Sequence, residues 1–144
     1  MGDPDAAEQT AQTDRWARRY MEVVDRKDLD EIGPLVAEDA VFEDIAYEPV
    51  RGKAALREWG AALFAGMPDL RREWVNYTVS GRVAIGEFDY TGTHSGEYFG
   101  FAPTGRTIRW RAAVVYEFDD DGLLKRQMYF NDPRALEAQL AGDA

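Results

Sequence analysis

The sequence contains no cysteine and only one histidine, His94. Without thiols there is no disulfide, no thiolate nucleophile and no thiolate metal site. With one imidazole, HExxH-type zinc constellations are excluded as well, and no GxxxxGK[ST] or GxGxxG stretch is present to cradle a phosphate. Long apolar runs are missing. The opening residues MGDPDAAEQTAQT are polar and acidic, so neither a membrane span nor a signal peptide is expected. Positive charge is scarce too, with 17 Lys and Arg against 27 Asp and Glu and a net charge of −10. Nucleic acid or an anionic membrane would be repelled before any specific contact formed. These absences predict a cytoplasmic protein without metal or organic cofactor, whose chemistry falls to carboxylates, phenols and arginines.

What remains is enough for a packed core. Hydrophobic residues make up 45% and aromatics 12% of 144 residues, which suits one domain with room for a small cavity. Residues 1–12 read as a flexible tail and 13–144 as the domain. Trp16, Tyr20, Val23 and Val24 recur at helical spacing from about Thr13. A short second helix carries Leu29, Ile32, Leu35 and Val36. EDAVFEDIAYEPVRG then reads as a strand followed by a loop, and a third helix presents Leu56, Trp59 and Leu63 before AGMPDL stops it. REWVNYTVS, RVAIGEFDYTGTH, RTIRWRAAVVYEF and LLKRQMYF are strands separated by turn residues, and Asp132-Pro133 opens a final helix. Helices followed by a largely antiparallel sheet give an α+β class.

Alternation assigns faces. Ile108, Trp110, Ala112, Val114, Tyr116 and Phe118 share the inner side of one strand, with Arg109 and Arg111 outside. Unbroken alternation in the last strand puts Leu124, Met128, Phe130 and Asp132 inside, and Tyr129 outside with Val115 and Ala113. That outer side is the expected surface of a homodimer.

The stretches MPDLRREW, YTGTHSGEYFGFAPTGRTIRW, DDDGLLKRQMYFND and ALEAQLAG resemble the SnoaL-like polyketide and ester cyclases, a family of the NTF2-like superfamily. The resemblance covers roughly the last half of the chain. It implies a cone in which a strongly curved sheet wraps around three N-terminal helices, with one pocket between them and often a dimer across the sheet's outer face. It also implies activities ranging from cyclisation to isomerisation, epoxide hydrolysis and simple binding. The chain departs from the common pattern at Ile45, where many relatives carry His, and at Arg126 and Met128, where many have Glu and Trp.

Three residues are candidates for catalysis. Asp132 is a favoured helix cap, and beside Phe130 and Met128 it would also be a desolvated acid. Tyr20 and Asp44 have a spacing that resembles the phenol and carboxylate of ketosteroid isomerases. Trp110, Tyr116, Phe88, His94, Met128, Phe130 and Trp59 are the expected walls of the substrate site. His94 has the competing reading of a strand-end imidazole bonded to its neighbouring loop. The reading is an acid–base enzyme for a hydrophobic carbonyl compound, performing polyketide-type ring closure or related enolate chemistry. Its alternatives are epoxide opening and non-catalytic ligand binding.

Overall fold

A computed structural model describes residues 5–44 and 47–142. The first helix starts where a carboxylate can cap it: α1 (Ala6–Asp25) follows Asp5, whose side chain accepts the Glu8 N–H at 2.7 Å. Residues 6–12, assigned above to a flexible tail, are therefore the first turns of this helix. They are strong helix formers for the most part. Thr13, well inside the helix, is buried and donates its hydroxyl to the Gln9 carbonyl at 3.0 Å.

The short α2 (Leu29–Ile32) runs into a single 3-10 turn (Gly33–Leu35), and Val36 already belongs to strand β1 (Val36–Asp44). The segment expected as a loop contains an edge strand, β2 (Tyr47–Arg51), paired antiparallel to β1. Helix α3 (Lys53–Gly66) leads into β3 (Arg71–Ser80), β4 (Val83–Thr93), β5 (Thr107–Phe118), β6 (Leu124–Asn131) and the closing α4 (Pro133–Leu140). The strands form one curved open sheet in the order β2-β1-β6-β5-β4-β3, antiparallel except where β1 meets β6.

The concave face holds the core. Ala17, Tyr20 and Met21 of α1 pack on Ala84, Phe88, Val114, Tyr116, Phe118 and Leu124 of the sheet. Gly122, in the turn before β6, is needed twice: its φ is +86°, and a Cβ there would lie 2.8 Å from the Trp16 ring. At the far end of β5, the β6 partner has run out and the Arg109 backbone would be unpaired on that side. Gln139 of α4 replaces the strand, accepting from Arg109 N at 3.0 Å and donating to Arg109 O at 2.8 Å.

Alternation in β6 is broken. Glu117 pairs with Arg126, yet the next residue, Phe118, pairs with Leu124, so Lys125 is an extra residue. A bulge of this kind shifts parity along the rest of the strand. Leu124 points inward as expected, but beyond it Gln127, Tyr129 and Asn131 face the interior, while Phe130 is 37% exposed. The expected inward placement of Met128 and Phe130, and the outward one of Tyr129, are both reversed for this reason. A second bulge, at Val75, keeps Arg72 and Trp74 on the same face as Tyr77 and Val79.

Candidate active site

A cavity of about 880 Å³ lies between the concave face and the helices. Its helical walls come from Tyr20 and Val24 of α1 and from Leu56, Trp59 and Leu63 of α3. The sheet contributes Asp44, Arg72, Tyr90, Trp110, Tyr116, Gln127, Tyr129 and Asn131. Small residues at Ala84, Gly86 and Ala112 lie under the packed layer behind the cavity wall. Gly86 cannot be larger, because the Phe88 ring folds over it and a Cβ would meet that ring at 2.4 Å. Exposed Tyr47 and Phe99 stand where the lining reaches solvent.

The carboxylate end is built on register. Asp44 of β1 lies beside Tyr129 of β6, and Tyr129 beside Val114 of β5. Trp110 donates its indole N–H to the Tyr129 hydroxyl, and the Trp110 ring stacks on Tyr90 at 5.1 Å with only 4° between the planes. Burial above all, then the neighbouring Tyr90 and Tyr98 and the Asp44 charge, pushes the Tyr129 phenol well above its ordinary pKa. Tyr98 is raised by the same causes, burial first and the Asp44 charge among the rest. Nearby, buried Tyr20 donates to Gln127 Oε1 at 3.4 Å and is also raised by burial. These phenols keep their protons throughout the physiological range, so they are donors beside a carboxylate.

The other end is dominated by Arg72, whose side chain is 7% exposed. Its Nε donates to Asp25 at 2.9 Å, one terminal nitrogen to the Tyr116 hydroxyl at 3.1 Å, and the other to the Met21 carbonyl at 3.0 Å. The guanidinium also sits 4.9 Å from the centre of the Phe88 ring. Burial works against its charge, but Tyr116, Tyr90 and Asp25 outweigh that and hold the pKa above the usual arginine value. Among the described residues, no three His, Cys, Asp or Glu side chains converge closely enough to hold a metal ion.

Five of the candidate catalytic and wall residues meet in this cavity: Tyr20, Asp44, Trp59, Trp110 and Tyr116. The others lie elsewhere. Asp132 is exposed and caps α4 by accepting Arg134 N at 3.0 Å and Ala135 N at 3.4 Å. Met128 is on the outer face, its sulfur 3.2 Å from Arg126. Phe88 is fully buried beneath Arg72 and supports the wall without lining it. His94 is buried and tied to its own loop, Nε2 to the Phe101 carbonyl at 3.2 Å and Nδ1 to the Thr104 hydroxyl at 3.1 Å. A carbonyl can only accept, so Nε2 carries a proton toward Phe101. Ile45 lies outside the described residues. Arg72, Tyr90, Gln127, Tyr129 and Asn131 were missed. For the three on β6 a signal was present: Lys125-Arg126-Gln127 is a polar run that interrupts alternation and marks a bulge.

The model of the SnoaL-like domain matches residues 17–127. The chain belongs to the SnoaL-like family. Solved structures agree on the fold. A protein assigned as a SnoaL-like polyketide cyclase from Jannaschia sp. CCS1 superposes with a TM-score of 0.86 at 20% identity, covering 96% of this chain and 98% of that one. IdmH from Streptomyces antibioticus, assigned as a polyketide cyclase, gives 0.73 at 23% identity over 90% and 98% of the two chains. SalBIII, an epoxide hydrolase/cyclase-like enzyme of pyran ring formation in polyether salinomycin, gives 0.75 at 18% identity over 88% and 96%. At such identities the likeness concerns the SnoaL-like fold alone. A search of curated protein sequences finds no match.

Proposed function

We propose that this SnoaL-like protein is a cofactor-independent acid–base enzyme acting on a hydrophobic, carbonyl-bearing small molecule, by polyketide-type ring closure or closely related enolate chemistry. The observation that carries the reading is Asp44, set on the wall of a large, mostly apolar cavity beside phenols that stay protonated. In this mechanism the Asp44 carboxylate takes a proton from the carbon next to a carbonyl. As the enolate forms, its oxygen receives a hydrogen bond from Tyr129, whose own oxygen accepts from Trp110, or from Tyr20 once its hydroxyl turns away from Gln127 Oε1. The enolate carbon then attacks a second carbonyl of the same molecule, closing a ring, and the new alkoxide takes up the proton that Asp44 removed, which regenerates the carboxylate. Trp59, Tyr90 and Trp110 offer flat walls for such a substrate and exclude water that would weaken the hydrogen bonds.

The likeness to SalBIII supports a second reading, in which Asp44 activates a hydroxyl and a phenol protonates an epoxide oxygen. Two panels separate the readings: enolisable polycyclic ketones scored for deuterium uptake from heavy water, and hydroxy-epoxides scored for ring-opened product. Uptake on the first panel supports the enolate chemistry, and product on the second alone supports epoxide opening. Binding of both panels without turnover would leave only a ligand-binding role.

A further inference from the structure

Arg72 takes no part in the acid–base steps above, yet it is a buried cation on the cavity wall. Two of its contacts, to Asp25 and to the Met21 carbonyl, tie β3 to α1 and are what a purely structural arginine would need. The third differs. Its donation to Tyr116 engages the phenol oxygen as an acceptor, so the Tyr116 proton is directed elsewhere, and Tyr116 lines the cavity. Among the described residues the Tyr116 hydroxyl enters the hydrogen bonds only as an acceptor. Tyr90, in register with Arg72 on the neighbouring strand, brings a second phenol to the same corner. Arg72's charge draws Tyr90 and Tyr116 downward against the larger effect of burial, which polarises their O–H bonds while leaving them protonated.

This corner and the carboxylate are built on different strands, with Tyr90 between them, stacked on Trp110 and 6.2 Å from the Tyr129 ring. Arg72 and Asp44 stand on β3 and β1, with β4, β5 and β6 between them. Asp25 neutralises the guanidinium, so the corner offers oriented donors more than net positive charge. Such a site favours an oxygen with delocalised or developing negative charge over a compact, strongly hydrated anion.

We infer that Arg72, Tyr116 and Tyr90 form a subsite for an oxyanion of the ligand, with Arg72 as the positioning residue that aims the two phenols. The ligand class that follows is a molecule bearing a phenol or enol oxygen at a second position, apart from the carbon facing Asp44. That substrate class rests on the proposed function; occupation of the subsite does not require turnover.

The probe is 4-nitrophenol, whose phenolate and neutral forms differ in visible absorption. Wild-type protein is titrated with it at a fixed pH where the free probe is mostly neutral. The expected result is a phenolate-to-phenol ratio at least about tenfold higher for bound than for free probe, equivalent to a pKa lowered by one unit. Binding against Asp44 instead would move the ratio the other way. Arg72→Gln and Tyr116→Phe should each abolish most of the increase, while Asp44→Asn keeps it or enlarges it. Tyr116→Phe leaves the Asp25 and Met21 contacts of Arg72 in place, so it decides the matter even if Arg72→Gln fails to fold. No binding at millimolar probe, an unchanged or lowered ratio in the wild type, or an undiminished increase in Tyr116→Phe would each overturn the subsite. Loss of deuterium uptake by ketones in Asp44→Asn, with the probe response intact, would uphold both proposals. A probe response without any ketone turnover would uphold the subsite alone.

Discussion

At Asp132 a single oxygen, Oδ1, meets two backbone N–H groups at the start of α4 and the side chain faces solvent. The residue is a cap. Asp132→Asn should leave the melting temperature nearly unchanged, because Asn caps about as well, and Asp132→Ala should lose about 1 kcal/mol in denaturant titration. Tyr20 and Asp44 were legible from the sequence because one lies on a regular helical stripe and the other near the end of a strand, so their spacing could be weighed. Tyr129 was not. Its placement depends on the extra residue Lys125, and a period-two pattern has no way to register one inserted residue except as a break in polarity. Arg72 was hidden for another reason: Arg71 and Arg72 are chemically identical neighbours, and only the strand register decides which of them is buried.

Elements are positioned here by polar ties as much as by packing. The turn between α3 and β3 is held by Asp69, which accepts from Thr93 N and from the Thr93 hydroxyl, both at 2.7 Å. Those two hydrogen bonds, backbone first, hold the Asp69 pKa below the ordinary aspartate value. A carboxylate depressed in the folded state contributes stability that is complete above its unfolded pKa and is lost as pH falls through the folded value. Asp69→Ala should therefore be less stable than wild type at neutral pH, and the gap should close below the usual carboxylate range. Thermal melts of the two proteins from neutral to strongly acid pH check this, and a gap that persists unchanged in acid would contradict it. The long elements α1, α3 and β3–β6 were readable because their apolar periods run over many residues. β2 was not, since Tyr47–Arg51 is short, lies at the sheet edge and shows no clear alternation.

On the scale of the whole molecule, the convex side of the sheet carries an apolar strip that the fold leaves uncovered. Ile85, Val115 and Met128 lie in one cross-strand row, with Ala113 and Phe130 in the next. Ile85 is 40% and Phe130 37% exposed. Ion pairs between Arg111 and Asp89 and between Arg126 and Glu43 flank the strip. We propose that a second copy covers it. Sedimentation should give a dimer at micromolar concentration and a shift toward monomer for Phe130→Glu; a wild-type monomer would refute the assignment. Among the described residues no helix is long and apolar enough to cross a membrane. The central claim is that the working carboxylate belongs to the cavity wall and not to the final helix cap. The most direct measurement is deuterium uptake by an enolisable polycyclic ketone, compared side by side in wild type, Asp44→Asn and Asp132→Asn. Asp44→Asn should slow uptake by about two orders of magnitude or more, the range for loss of one general base, while Asp132→Asn stays at the wild-type rate. Wild-type uptake in Asp44→Asn together with a collapse in Asp132→Asn would contradict the account.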